Sequence, residues 1–168
     1  MIKRYSFVAV IVIVVFVVYF FFIRRRDDEK QVIADRIKVA SWYDYLKKVS
    51  KDYNIPFRRI ASIVAVESGG VSGLRGSSGE YGLMQITPIA HEDVKNQWGQ
   101  NSMLPQGYPD FTLGLNDGYN ILVGTAYLAI LKERNNGNLD QATKRYNGIN
   151  ESMTTQYLQK VKEFEKYF

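Results

Sequence analysis

Cysteine is absent from the 168 residues, and histidine occurs once, at His91. Without thiols there is no disulfide framework and no thiolate metal site, and a zinc centre would have to be built almost wholly from carboxylates. Neither a metal nor an organic cofactor is expected. A thiol-free chain suits an oxidising compartment without requiring one. Helix breakers are scarce at the start, with no proline before Pro56 and no glycine before Gly69. The length leaves room for one domain of ordinary size and an appendage, which excludes a large multidomain machine.

The charge is unevenly placed. Of the 22 bases, five lie within residues 1–26 (Lys3, Arg4, Arg24, Arg25 and Arg26), where there is no acid, so the remainder carries 17 bases against 17 acids. The pI of about 9.3 thus reports a short basic N-terminus, not a basic face on a folded domain, and argues against a nucleic-acid partner.

Between those basic clusters, Phe7–Ile23 reads FVAVIVIVVFVVYFFFI, uninterrupted by charge, glycine or proline. With Tyr5 and Ser6 included, the run would rise about 28 Å as a helix, close to the hydrocarbon thickness of a bilayer. It exceeds a signal-peptide core and lacks a small-residue cleavage pattern, so an uncleaved span over about residues 6–23 is expected. Orientation stays open, because basic residues flank both ends. Beyond it, Ile33, Ile37, Ala40, Trp42, Tyr45 and Leu46 share a helical stripe, so residues 27–37 are expected to run as a helical linker into a domain of residues 38–168.

That domain reads as mainly α. A helix from Pro56 carries Phe57, Ile60, Ala61, Ile63, Val64, Ala65 and Val66, apolar nearly all round, and stops at Glu67-Ser68-Gly69-Gly70. Glycine then recurs every third residue from Gly70 to Gly82. Too few triplets without proline exclude collagen, and the lack of a following Gly-Lys-Ser/Thr excludes a phosphate loop, leaving a tight loop or small hairpin. A short helix is expected from Thr87 or Pro88 to about Val94, a long loop over 95–116, and helices over Asp117–Glu133, Leu139–Tyr146 and Glu151–Phe168.

A carboxylate ending a buried helix is partly desolvated, which lifts it toward the range of a general acid, although loop amides could equally satisfy it. Gln85, brought back by the glycines, adds a neutral amide. Tyr146-Asn147 and Tyr157 add hydroxyl, amide and ring faces. Together they suit an uncharged, hydroxyl-rich ligand such as a sugar.

These residues fall into blocks. Glu67-Ser68, Gly82-Leu83-Met84-Gln85-Ile86-Thr87-Pro88, Asn120-Ile121 with Gly124 and Tyr127-Leu128, Arg145-Tyr146-Asn147-Gly148-Ile149 and Tyr157-Leu158 follow in order over about residues 53–162. The pattern resembles the catalytic domain of lytic transglycosylases of the soluble type, which cut bacterial peptidoglycan and have a lysozyme-like fold. The resemblance implies a lysozyme-like α+β fold with a small hairpin or loop region behind an N-terminal transmembrane helix. Glu67 would be the catalytic acid, with Ser68, Met84, Gln85, Tyr146, Asn147 and Tyr157 on the substrate. Cleavage of the bond between N-acetylmuramic acid and N-acetylglucosamine would then close a 1,6-anhydro ring.

Two positions depart from the family pattern: an aromatic three residues after the acid and a serine nine after it are Gly70 and Gly76 here, with Ser77 and Ser78 nearby. Glu80 stands where a small residue is usual and is the one nearby candidate for a second carboxylate. The partners implied are glycan strands and a bilayer held by residues 6–23, with the domain on the wall side. A hydrolysing muramidase of goose-lysozyme type and a non-catalytic glycan-binding assembly protein remain as alternatives. The setting is open between a secretion or conjugation apparatus and the internal membrane of a phage virion.

Overall fold

The computed structural model describes residues 2–98 and 116–168, with the side chains of residues 2–10, Ile13 and Trp98 left aside. Seven helices are described: α1 (Ile2–Lys38), α2 (Tyr43–Asp52), α3 (Phe57–Ser68), α4 (Pro88–Trp98), α5 (Asp117–Arg134), α6 (Leu139–Asn147) and α7 (Glu151–Phe164), the last continued by a 3-10 turn over Glu165–Tyr167.

α5 is the centre of the core. Asn120 to Ala126 and Leu128 to Leu131 are all buried, because α2, α4 and α6 pack around it. α3 is the second buried element, with Ile60, Ala61, Ile63, Val64 and Ala65 inside and α1, α2 and α7 as neighbours. That agrees with its all-round apolar sequence. Its one fully enclosed charged residue, Arg59, is 5% exposed. It is satisfied by donating to Glu165 at 2.6 Å, Thr143 at 2.7 Å and Asp140 at 3.0 Å, so a single guanidinium ties α3 to α6 and the 3-10 turn. Asn116, Asn138 and Asn150 cap α5, α6 and α7, each accepting from a backbone N–H three residues on.

α1 runs unbroken from the apolar segment into the domain. Ala34 and Ile37 are fully buried, Lys30 pairs with Glu163 of α7 at 2.7 Å, and Arg36 donates to the Gly69 carbonyl at 3.2 Å. Gly70 makes the close approach feasible, since a Cβ there would lie 2.8 Å from Ile37 Cγ1. The helix does not continue into α2 as the stripe predicts. Turns closed by Ala40 N–H to Ile37 O and Tyr43 N–H to Ala40 O redirect the chain, and both Ile37 and Leu46 then reach the same core.

Among the described residues no helix is long and apolar enough to cross a membrane. Part of the expected span, residues 6–10 and Ile13, lies outside the described side chains, whereas those of Phe16, Phe20, Phe21 and Phe22 are exposed. The loop expected over 95–116 begins later, because residues 95–98 complete α4; its remainder up to 115, with Pro105 and Pro109, lies outside the described residues. No strand is described. The glycine-rich segment forms two isolated antiparallel bridges, Arg75 with Tyr81 and Tyr81 with Ile86, which is the small hairpin region in minimal form.

Candidate active site

The site begins at the end of α3. Glu67 occupies its penultimate position, and Gly69, left-handed at φ +59°, terminates the helix. Glu67 keeps only a partial opening to solvent. Burial is the main reason its carboxyl is lifted from the usual 4.5 to about 7; the charge of Glu80 adds to the lift, and a hydrogen bond from Tyr157 opposes it. The carbonyl end of α3 is itself negative, with no base in its last turn, which disfavours the ionised form further.

α7 delivers the partner. Tyr157, 6% exposed, donates its hydroxyl to Glu67 Oε1 at 2.6 Å. From α6, Tyr146 donates to the Met84 carbonyl at 2.9 Å, and its ring lies 5.6 Å from that of Tyr127 on α5. Burial, and then the Glu67 charge, hold both phenols well above their ordinary range, so each stays a neutral donor wherever Glu67 titrates.

The third wall is the segment 81–86, joined by hydrogen bonds between Tyr81 and Ile86 in both directions. Asn120 fixes it to α5: its Oδ1 accepts from Met84 N–H at 2.7 Å and its Nδ2 donates to Tyr81 O at 2.7 Å. Gly82, at φ +74°, passes so close that a Cβ would meet Asn120 at 2.5 Å, so only glycine fits the position. Gln85 also takes a positive φ, 44°, and donates to Gly82 O at 2.8 Å and Leu74 O at 3.2 Å. Its amide is thereby fixed within the loop, with Oε1 beside Gly76 and the Glu80 carboxylate.

The structure thus gathers Glu67, Tyr157, Tyr146, Gln85 and Glu80. Ser68 and Met84, both expected on the substrate, have buried side chains. Ser68 is buried, donating toward Leu83 O at 2.8 Å and accepting from Gly70 N–H at 3.2 Å, so it binds helix end to loop instead of facing a ligand. The Met84 side chain is fully buried in the core, where a Cβ on Gly124 would lie 2.5 Å from its sulfur; only its backbone serves the site. Asn147 ends α6 with its side chain exposed. Sequence reading passed over Arg59 and quoted Asn120 only within a motif block, without the loop-fixing role its two hydrogen bonds give it. Among the described residues no three His, Asp or Glu are grouped to hold a metal ion.

Comparison with known proteins gives this geometry a family. The model of the transglycosylase SLT domain matches residues 44–168. The chain belongs to that family. This SLT domain protein is 31% identical, over 121 residues, to the endo-type membrane-bound lytic murein transglycosylase A of Citrobacter koseri, an alignment covering 71% of the chain and 52% of the relative. The chain therefore spans about half the length of such relatives. Among solved structures, it superposes on the 70 kDa soluble lytic transglycosylase of Escherichia coli with a TM-score of 0.67 at 21% identity, over 75% of this chain and 24% of that one. An inactive mutant of the lytic transglycosylase Slt from Pseudomonas aeruginosa gives 0.65 at 22% identity, over 76% and 24%. At those identities the likeness concerns the fold of the SLT domain.

Proposed function

We propose that this SLT domain protein is a peptidoglycan lytic transglycosylase with Glu67 as its acid. The observation that carries the reading is the Glu67 carboxyl itself, lifted to about 7 at a helix end and held by the Tyr157 hydroxyl. A group near neutrality can both give and take a proton at working pH. Protonated Glu67 donates to the glycosidic oxygen as the bond from the muramic C1 breaks. The resulting carboxylate takes the proton of that sugar's C6 hydroxyl, whose oxygen bonds to C1. No water is consumed, Glu67 ends protonated as it began, and the intramolecular attack gains from proximity. Tyr157 supports the ionised midpoint, while Tyr146 and Gln85 hold the loop against which a sugar would rest. Asn147, exposed at the end of α6, would reach further along a glycan.

The same reading seats residues 6–23 in a bilayer with the domain on the wall side, supported by the apolar run and by the membrane-bound description of its relative from C. koseri. A short tethered enzyme of this kind would open the wall locally, for an envelope apparatus or an entering phage; neighbouring capsid genes or secretion-channel genes would discriminate. Digests of purified peptidoglycan decide the chemistry. The expected muropeptides end in 1,6-anhydromuramic acid, lighter by one water than hydrolysis products and inert to borohydride. Products that take oxygen from labelled water would make the enzyme a hydrolase.

A further inference from the structure

Where α1 enters the domain, it does not close completely against α3 and α7. A cavity of about 260 Å³ is left, with Arg26 and Lys30 of α1 and Lys160 and Glu163 of α7 on its wall and an apolar floor that includes Ile33 and Phe164. Lys30 is committed to Glu163 at 2.7 Å. Arg26 and Lys160 are exposed and enter no ion pair among the described residues, so the cavity keeps two uncommitted cations beside one satisfied pair. The neighbouring acids of α1 do not cancel them: Asp27 accepts from the Tyr167 hydroxyl at 3.4 Å, Glu29 faces Arg25 at 3.7 Å, and Asp28 lies about 200° around the helix from Arg26.

Depth along α1 says what reaches this cavity. Arg26 follows Ile23, the last residue of the apolar run, by three positions, about 4.5 Å of helix rise, and the headgroup layer of a bilayer is about 5–8 Å thick on each side. The Cβ atoms of a helix tilt toward its N-terminus, so the long side chains of Arg26 and Lys30 lean back toward that layer. Glu163 faces Lys30, and the Phe168 ring lies 5.9 Å from Lys38 Nζ, so α7 and its continuation run the same way as α1. Lys160 therefore stands at the Arg26 end, and the two free cations flank the mouth on the membrane side.

We propose that the cavity between α1, α3 and α7 is a binding site for the head group of one anionic phospholipid, with its phosphodiester between Arg26 and Lys160. The head-group carbons rest over Ile33 and Phe164, and their hydroxyls reach the Lys30–Glu163 pair. At about 30 Å³ per water the cavity has the room of roughly eight waters, ample for a phosphodiester with a small head group. The inference rests on the proposed seating of residues 6–23 in a bilayer. Occupied, the site holds the domain to the membrane through α7 as well as through α1.

Native mass spectrometry of the full chain, in detergent micelles doped with phosphatidylglycerol and phosphatidylcholine as competing probes, tests it. One phosphatidylglycerol per chain should be retained in preference to phosphatidylcholine. Arg26→Gln and Lys160→Gln should each weaken that retention about fivefold, the loss expected for one basic group at a membrane surface. Both positions are exposed, so either variant alone decides should the other misfold. Arg24→Gln removes the same charge from the same helix but about 200° around it from Arg26, and should change retention by less than about twofold. A loss in Arg24→Gln equal to that in Arg26→Gln would overturn the site in favour of diffuse attraction. Equal retention of the two lipids by the wild type, or displacement of phosphatidylglycerol by inorganic phosphate, would overturn it as well. Flotation with phosphatidylcholine vesicles tests the seating separately: a chain that stays out of them sinks the bilayer reading, whereas a chain that enters them but shows no lipid preference in micelles sinks the cavity site alone.

Discussion

Replacing Glu67 by Gln should disable the enzyme and, at alkaline pH, make it more stable. The native carboxyl sits near 7 against an ordinary value of 4.5, so the folded state holds the proton more tightly than the unfolded chain does. Between those two values the native state binds more protons, and stability therefore falls as pH rises, being fully present below about 4.5 and lost by just above 7. The difference corresponds to about 3 kcal/mol. The amide that replaces the carboxyl in the variant does not titrate, and its oxygen can still accept from Tyr157. Subtracting the wild-type unfolding free energy from that of Glu67→Gln cancels every other titrating group and isolates this one. The difference should climb by about 3 kcal/mol between pH 4 and pH 8.5 in favour of the variant. Urea unfolding of the full chain in detergent, followed through the fluorescence of Trp42 in the core, measures it. A flat difference curve, or a variant less stable at pH 8.5 than at pH 4 relative to wild type, would refute the desolvated acid. Muralytic activity should be lost at every pH, placing stability and function in opposition at one side chain.

Other outcomes follow from single contacts. Tyr157→Phe removes the hydrogen bond that favours ionised Glu67, so the alkaline limb of the rate profile should move upward by on the order of one pH unit while kcat falls. Asn120→Ala leaves Met84 N–H and Tyr81 O without their buried partner and should cost about 3 kcal/mol in urea unfolding. Gly124→Ala gains about 1 kcal/mol of helix propensity but drives a methyl to 2.8 Å from Met84 Cβ, so a net loss of about 1 kcal/mol or more is expected, read as a lower Tm. For topology, Lys51→Cys in this cysteine-free chain should react with an impermeant thiol reagent in intact spheroplasts; labelling only after lysis would place the domain inside.

Helical periodicity made α3, α5, α6 and α7 legible, because each buries a continuous apolar face. α4 was read short, since Lys95-Asn96-Gln97 offers only polar, exposed residues and no apolar repeat to signal that the helix continues. Motif order located Glu67, Gln85, Tyr146 and Tyr157, but a motif says which residue stands at a position and not where it points. Met84 turns into the core because Gly124, an isolated glycine in the α5 sequence, leaves it a slot, and Ser68 turns inward to close the end of α3 on Leu83. Neither partner is near in sequence. The placement of Glu80 was equally hidden, because it depends on the space above Gly76 and not on any pattern around Glu80 itself.

The unbroken course of α1 turns the height and facing of the active site into helix arithmetic. Because Ala34 and Ile37 are locked into the core, the domain cannot swivel on the stem that carries the apolar segment. Each residue added between Arg26 and Lys30 would lift Glu67 about 1.5 Å from that segment and rotate it about 100° around the stem. One inserted residue would thus point the site almost sideways, whereas an insertion of seven would lift it about two turns and restore nearly the original facing. Stem length in this protein is a setting of angle before it is a setting of reach.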